Sequence, residues 1–305
     1  MKAVIKSLLA ASIVAIGSGF GAAQAANVAS QLFPGQQILS DSSAEFLIDS
    51  GVGGTAGILD PGDQLVGIVT FEKNQQGISI RPLGLGSPND ELTGVFDLVV
   101  NTVVVSACAV DPVTCPFGTS FAFTFSAPTA AQFLANTGVT TAPGGTVLAL
   151  FDDVAQNFNR GGTTATGIAS ATDGTPFWYF GIGGANDFWK ATSVTNDINT
   201  VGTLPPGVAG GTFVFGVDQI AGGSGPTLLP TACALGLVNG CGNGSLTARD
   251  PASSFQSYDQ TQLAINVVPE PSTLALLGIA LFGLVGLSRR KTGVAAPLFG
   301  GSMKA

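Results

Sequence analysis

Apolar residues alternate with small polar ones along much of this chain, and that period of two constrains the fold more than any other feature. Phe121, Phe123 and Phe125 alternate with Ala122 and Thr124. Such spacing puts every second side chain on one face, as in a half-buried strand. Gln64–Glu72 repeats it, with Leu65, Val69 and Phe71 able to share a face across Gly67. Gln37–Ile48, Ile78–Leu83, Thr146–Phe151, Thr212–Val217 and Gln262–Val267 read as further strands. Glu91–Val110 is long and β-branched, and predicts two strands or one bent strand with a bulge near Asn101. Asp60-Pro61-Gly62-Asp63 and the glycine-rich Gly51–Gly57 read as turns between them. Pro128–Asn136 is the one good helix candidate, with an early proline and Gly138 as its stop. Arg160–Gly174 reads as a loop with weak strand character. No βαβ alternation is visible. The expected fold is therefore all-β: a β-sandwich with Greek-key or jelly-roll-like connections and one short helix.

The two ends are of another kind. Lys2 and Lys6, then the apolar Leu8–Ile16, then Ala23-Gln24-Ala25 have the three parts of a secretory signal peptide. Cleavage is expected between Ala25 and Ala26, through the Sec translocon and signal peptidase. At the other end Pro269-Glu270-Pro271 is an extended tripeptide, because each proline fixes its own φ and biases its predecessor away from helix. Thr273–Leu287 is uncharged and apolar, and at ~1.5 Å per residue reaches ~23 Å as a helix. That is short for a permanent span. Arg289, Arg290 and Lys291 follow as a cytoplasmic stop.

Motif, apolar run and basic cluster in this order resemble the PEP-CTERM sorting signal, the substrate tag of exosortases in diderm bacteria that make extracellular polysaccharide. The resemblance implies transient anchoring in the inner membrane, cutting near Pro269–Pro271, and release to the cell surface or extracellular matrix. The domains expected are a signal peptide (1–25), a β-rich body (26–268), the sorting signal with its short transmembrane helix (269–291) and a tail extension of no assigned role (292–305).

Charge and missing residues narrow the chemistry. Lys2, Lys6, Arg289, Arg290, Lys291 and Lys304 lie in the end segments, leaving Lys73, Arg81, Arg160, Lys190 and Arg249 against 19 acids, a net charge of −14 for a product that keeps Glu270 and −13 for residues 26–268 alone. So acidic a surface repels nucleic acid. No histidine occurs, which removes the commonest general base and zinc ligand. Asp152-Asp153 with Asn157 and Asn159 lacks the spacing and closing glutamate of a calcium loop, and reads as a solvated turn. No metal, cofactor or catalytic residue is expected. Four cysteines in an exported chain favour disulfides. Closing a loop of about eight residues needs no long-range folding, which favours Cys108–Cys115 and Cys233–Cys241.

The reading that follows is a non-catalytic, exosortase-processed protein with a structural or adhesive role in exopolysaccharide, biofilm or floc. One alternative is a carbohydrate-binding module, with Trp178, Tyr179 or Trp189 stacking on sugar faces. A second is a secreted glycoside hydrolase working through carboxylates.

Overall fold

The computed structural model describes residues 27–51, 55–84, 90–111, 115–204, 210–247 and 253–268. Ala25, Ala26, Pro269, Glu270, Pro271, Arg289, Arg290 and Lys291, and with them both cleavage points and the apolar run, lie outside the described residues.

Chain order begins with α1 (Val28–Gln31), β1 (Gly35–Ile48), β2 (Gln64–Gln76), the short edge strand β3 (Ser79–Pro82), β4 (Glu91–Ala107) and β5 (Thr119–Ser126). It continues through α2 (Ala130–Thr137), β6 (Thr146–Asp153), α3 (Thr164–Thr172), β7 (Thr175–Gly181), β8 (Phe188–Ser193) and α4 (Ile198–Val201). It ends with β9 (Gly211–Ile220), the small hairpin β10 (Thr231–Cys233) and β11 (Gly236–Val238), then β12 (Gly240–Thr247) and β13 (Ser257–Val267).

The expected sandwich is corrected to a barrel. β1 pairs with β2 on one side and with β13, the last strand, on the other. β2 pairs with β4, β4 with β5, β5 with β8, β8 with β9, β9 with β12 and β12 with β13. All these pairings are antiparallel, so eight strands form a closed ring. Sandwich and barrel share the same period-two pattern; only the pairing of the first strand with the last distinguishes them. Closure also removes the bare edges that two open sheets would carry.

The ring is doubled along one stretch. The first half of β4 pairs with β6 and its second half with β5. β9 forks in the same way, with its start on β8 and its end on β7. β6 and β7 pair with each other, so they bridge the fork at one end as β5 and β8 do at the other. The register shift between Val100 and Thr102 sits at Asn101, within the pairing of β4 with β5, and is the bulge the sequence predicts. β4 is one bent strand, not two.

Two cores result. The barrel interior holds Leu39, Phe71, Phe96, Leu98, Phe123, Leu148, Trp178, Trp189, Phe213, Phe215 and Leu263 among others. A smaller core, including Ile68, Val95, Phe133, Tyr179 and Phe255, lies on the outside of the sheet beneath α2 and α3. α2 opens with a capping box between Thr129 and Gln132 and closes on Gly138 at φ 73°. α3 replaces the expected loop at Arg160–Gly174. Gly167 lets it approach so closely that a Cβ there would lie 2.7 Å from the Phe255 ring. α1 buries Val28 at one barrel end, near Asn74 and Asp152. α4 buries Ile198 and Val201 at the other, near Leu59.

Both expected disulfides form. Cys108–Cys115 ties the loop between β4 and β5, and Cys233–Cys241 ties the β10–β11 hairpin to β12.

Candidate functional site

The aromatic residues expected to stack on sugars are packed inward. Trp178 is 1% exposed and donates Nε1–H to the Pro226 carbonyl at 2.9 Å. Tyr179 is fully buried in the outer core, with its hydroxyl 2.6 Å from that of Thr141. Trp189 is 8% exposed and stacks on Phe215 at 4.4 Å, with Phe96 and Phe213 at 6.1 and 6.2 Å. Strand parity puts Trp178 and Tyr179 on opposite faces, and both faces are covered. None of the three rings presents a free face to a ligand.

The structure draws attention instead to polar residues at inward positions of β1 and β13. Asp41, Ser43 and Glu45 share parity with the buried Leu39; Ser257, Asp259 and Thr261 share parity with Leu263 and Ile265. The two strands pair with Ser43 opposite Asp259 and Glu45 opposite Ser257. The six side chains form one polar column inside a largely apolar barrel. Ser43 donates to Asp259 at 2.5 Å and lies 3.0 Å from Asp41, Ser257 donates to Glu45 at 2.6 Å, and the Thr261 amide donates to Asp41 at 2.5 Å. These partners are hydroxyls and a backbone amide, not cations.

Three buried acids without a counter-charge cannot all ionise. Burial first, then the nearby Asp259, pushes Glu45 and Asp41 well above the usual carboxylate range. Burial also raises Asp259, offset mainly by its hydrogen bond with Glu45. Burial therefore favours the uncharged form of these carboxyls, Glu45 and Asp41 most of all. Beside Glu45 and Asp259 lies a cavity of about 50 Å³ lined by Phe96, Phe123, Trp189, Ile198 and Phe213. It has room for a few waters and not for a sugar ring.

Other carboxylates pair near the surface. Asp90 neighbours Asp152, and Asp187 neighbours Asp218. Burial, partly countered by the Val28 amide and reinforced by Asp90, raises Asp152 to about 6. Among the described residues no group of three His, Cys, Asp or Glu side chains is placed to hold a metal ion. Asp152 and Asp153 end β6; Asp152 accepts from the Val28 amide at the start of α1, while Asp153 accepts from the Ala155 amide in the turn that follows.

The sequence reading missed Asp41, Glu45 and Asp259. Their signal was parity: acids in phase with Leu39 and Leu263, where a strand of alternating pattern puts its apolar side.

Residues 267–291 match the family model of the PEP-CTERM protein-sorting motif. No curated protein and no solved structure matches the chain. The matched segment starts on Val267, the last residue of β13 and hence of the barrel wall. Motif and order of parts agree, and the chain is an exported, exosortase-targeted protein carrying a PEP-CTERM sorting motif.

Proposed function

We propose that this protein serves a structural or adhesive role in the extracellular polysaccharide matrix, as a non-catalytic barrel delivered there by its sorting motif. The observation that carries the reading is the seamless join of cargo and tag. β13 is an internal strand, hydrogen-bonded on both sides, and the motif begins on its final residue. Whatever is done to the tag is done to the barrel itself, with no spacer domain between them. The interior supports the same reading: Glu45 and Asp259 line a space inside the barrel too small for a saccharide.

The test has two parts. Mass spectrometry of surface material should find peptides through Val267 and none beyond Ser272. Purified mature protein incubated with the organism's own polysaccharide should co-sediment with it and release no reducing ends. Reducing ends that appear, and vanish in a Glu45→Gln variant, contradict the structural role and favour a hydrolase.

A further inference from the structure

The outer wall of the barrel carries an apolar band close to where the chain leaves it. Across seven strands, one row of directly paired, outward-facing positions reads Ile80, Gln75, Ile38, Ala264, Cys241, Gly216 and Phe188. Ile80 is 58% and Ile38 39% exposed. The β10–β11 hairpin is clasped to this row by Cys233–Cys241 and lays Val238 against Gly216. Its Leu235 and Leu237 face outward, 52% and 60% exposed, and Leu229 beside it is hydrogen-bonded to Asn266. Between hairpin and wall runs a groove of about 300 Å³, lined by Ile38, Val214, Ala234 and Ala264 among others.

The next outward row, two residues further from the exit, is polar: Lys73, Ser40, Gln262, Asn243, Val214 and Lys190. Two of the five basic residues of the body stand on it. Glu72 adjoins Lys73, so the row is close to neutral. An apolar row bordered by a row of amides, hydroxyls and lysines is the profile of a surface at a bilayer interface, where lysines snorkel to the headgroups.

Chain length supplies the occupant. Ala264 lies three residues, or ~10 Å of strand, before Val267. From Val267 to the start of the apolar run at Thr273 is six residues, at most ~21 Å when fully extended. While that run is in the membrane, the barrel end cannot stand further off than this. We propose that the band of Ile38, Ile80, Leu229, Leu235 and Leu237 rests on the lipid surface during the anchored stage, holding the barrel at a fixed tilt. The proposal depends on the tail being membrane-inserted, as the sorting motif implies.

The test uses the full chain reconstituted into phosphatidylethanolamine/phosphatidylglycerol vesicles, with an environment-sensitive probe on Ile80→Cys, Leu235→Cys or Val104→Cys. Val104 is an exposed outward residue on the fork side of the wall, paired with Ala122. Quenching by spin-labelled lipid should be roughly threefold or more stronger at positions 80 and 235 than at 104. Hydrogen exchange of the unmodified chain should slow at β3 and the β10–β11 hairpin when vesicles are present. Protein that floats with vesicles but quenches equally at all three positions overturns the proposal alone. Protein that fails to float overturns the anchoring as well. A probe shielded only when the processing protease shares the bilayer assigns the band to that enzyme and overturns the lipid reading.

Discussion

Glu45 and Asp259 are diagonal neighbours across the seam where the first strand meets the last, and burial raises both carboxyls. Burial on this seam favours the uncharged form of both groups. Asp97, which accepts from Gln64 and Asn136, is likewise raised by burial to about 6. In the unfolded chain these acids titrate near ~4.

The folded state therefore binds protons more tightly than the unfolded state. Stability from these groups is fully present below ~4 and is lost as pH rises through the folded values. Thermal melts should show Tm falling between pH 5 and pH 8. Glu45→Gln supplies a permanent donor to Asp259 and should raise Tm at pH 8 while flattening the slope. A wild-type Tm that climbs over this range contradicts the raised carboxyls.

Trp189 fills the centre of the barrel against Phe215 and Phe96. Trp189→Ala should destabilise by ~3–5 kcal/mol, read as a lower urea midpoint. Trp178→Ala should cost a similar amount, since the Pro226 carbonyl then keeps only its hydrogen bond from Gln219. A variant that loses polysaccharide binding with an unchanged midpoint would show that its ring acts at a surface.

Gly94 sits where β4 meets β6, and a Cβ there would lie 2.4 Å from the Ala149 carbonyl oxygen and 2.6 Å from Leu150. Gly94→Ala should destabilise by ~1–3 kcal/mol through this overpacking. Gly144→Ala, with nothing within 4 Å, should change stability by less than ~0.5 kcal/mol. Equal effects at the two positions would mean the strands do not pack this closely.

Non-reducing peptide maps should link Cys108 to Cys115 and Cys233 to Cys241. Replacing both cysteines of the second pair by serine should lower stability by ~2–3 kcal/mol in calorimetry and speed exchange at the β10–β11 hairpin. An unchanged hairpin would show that Val238 alone fastens it.

Local signals were legible in the sequence, and long-range ones were not. The strand around Phe123, the bulge at Asn101 and the helix ahead of Gly138 each depend on neighbouring residues. β12 was invisible, because Gly240-Cys241-Gly242-Asn243-Gly244 reads as loop. Its glycines make room: a Cβ on Gly242 or Gly244 would strike Phe215 or Phe213, at 2.6 and 2.2 Å. α3 was missed for a related reason, since Thr, Ala and Gly carry little helical signal and contact with Phe255 holds it. Closure could not be read at all, as no local pattern reports that β1 will find β13. The acids of the column were visible only as parity, and their pairing depends on that same closure.

That closure has a consequence in time. Ser43 and Asp259 stand 216 residues apart, yet they meet side by side on the closing seam. An exported chain emerges N-terminus first, so β1 waits with a bare edge until almost all of the body has crossed. The strand that completes the barrel is the one to which the sorting motif is joined. The last step of folding and the arrival of the tag at the membrane are therefore nearly one event, and a barrel that reaches the sorting enzyme is one whose entire wall has already been delivered.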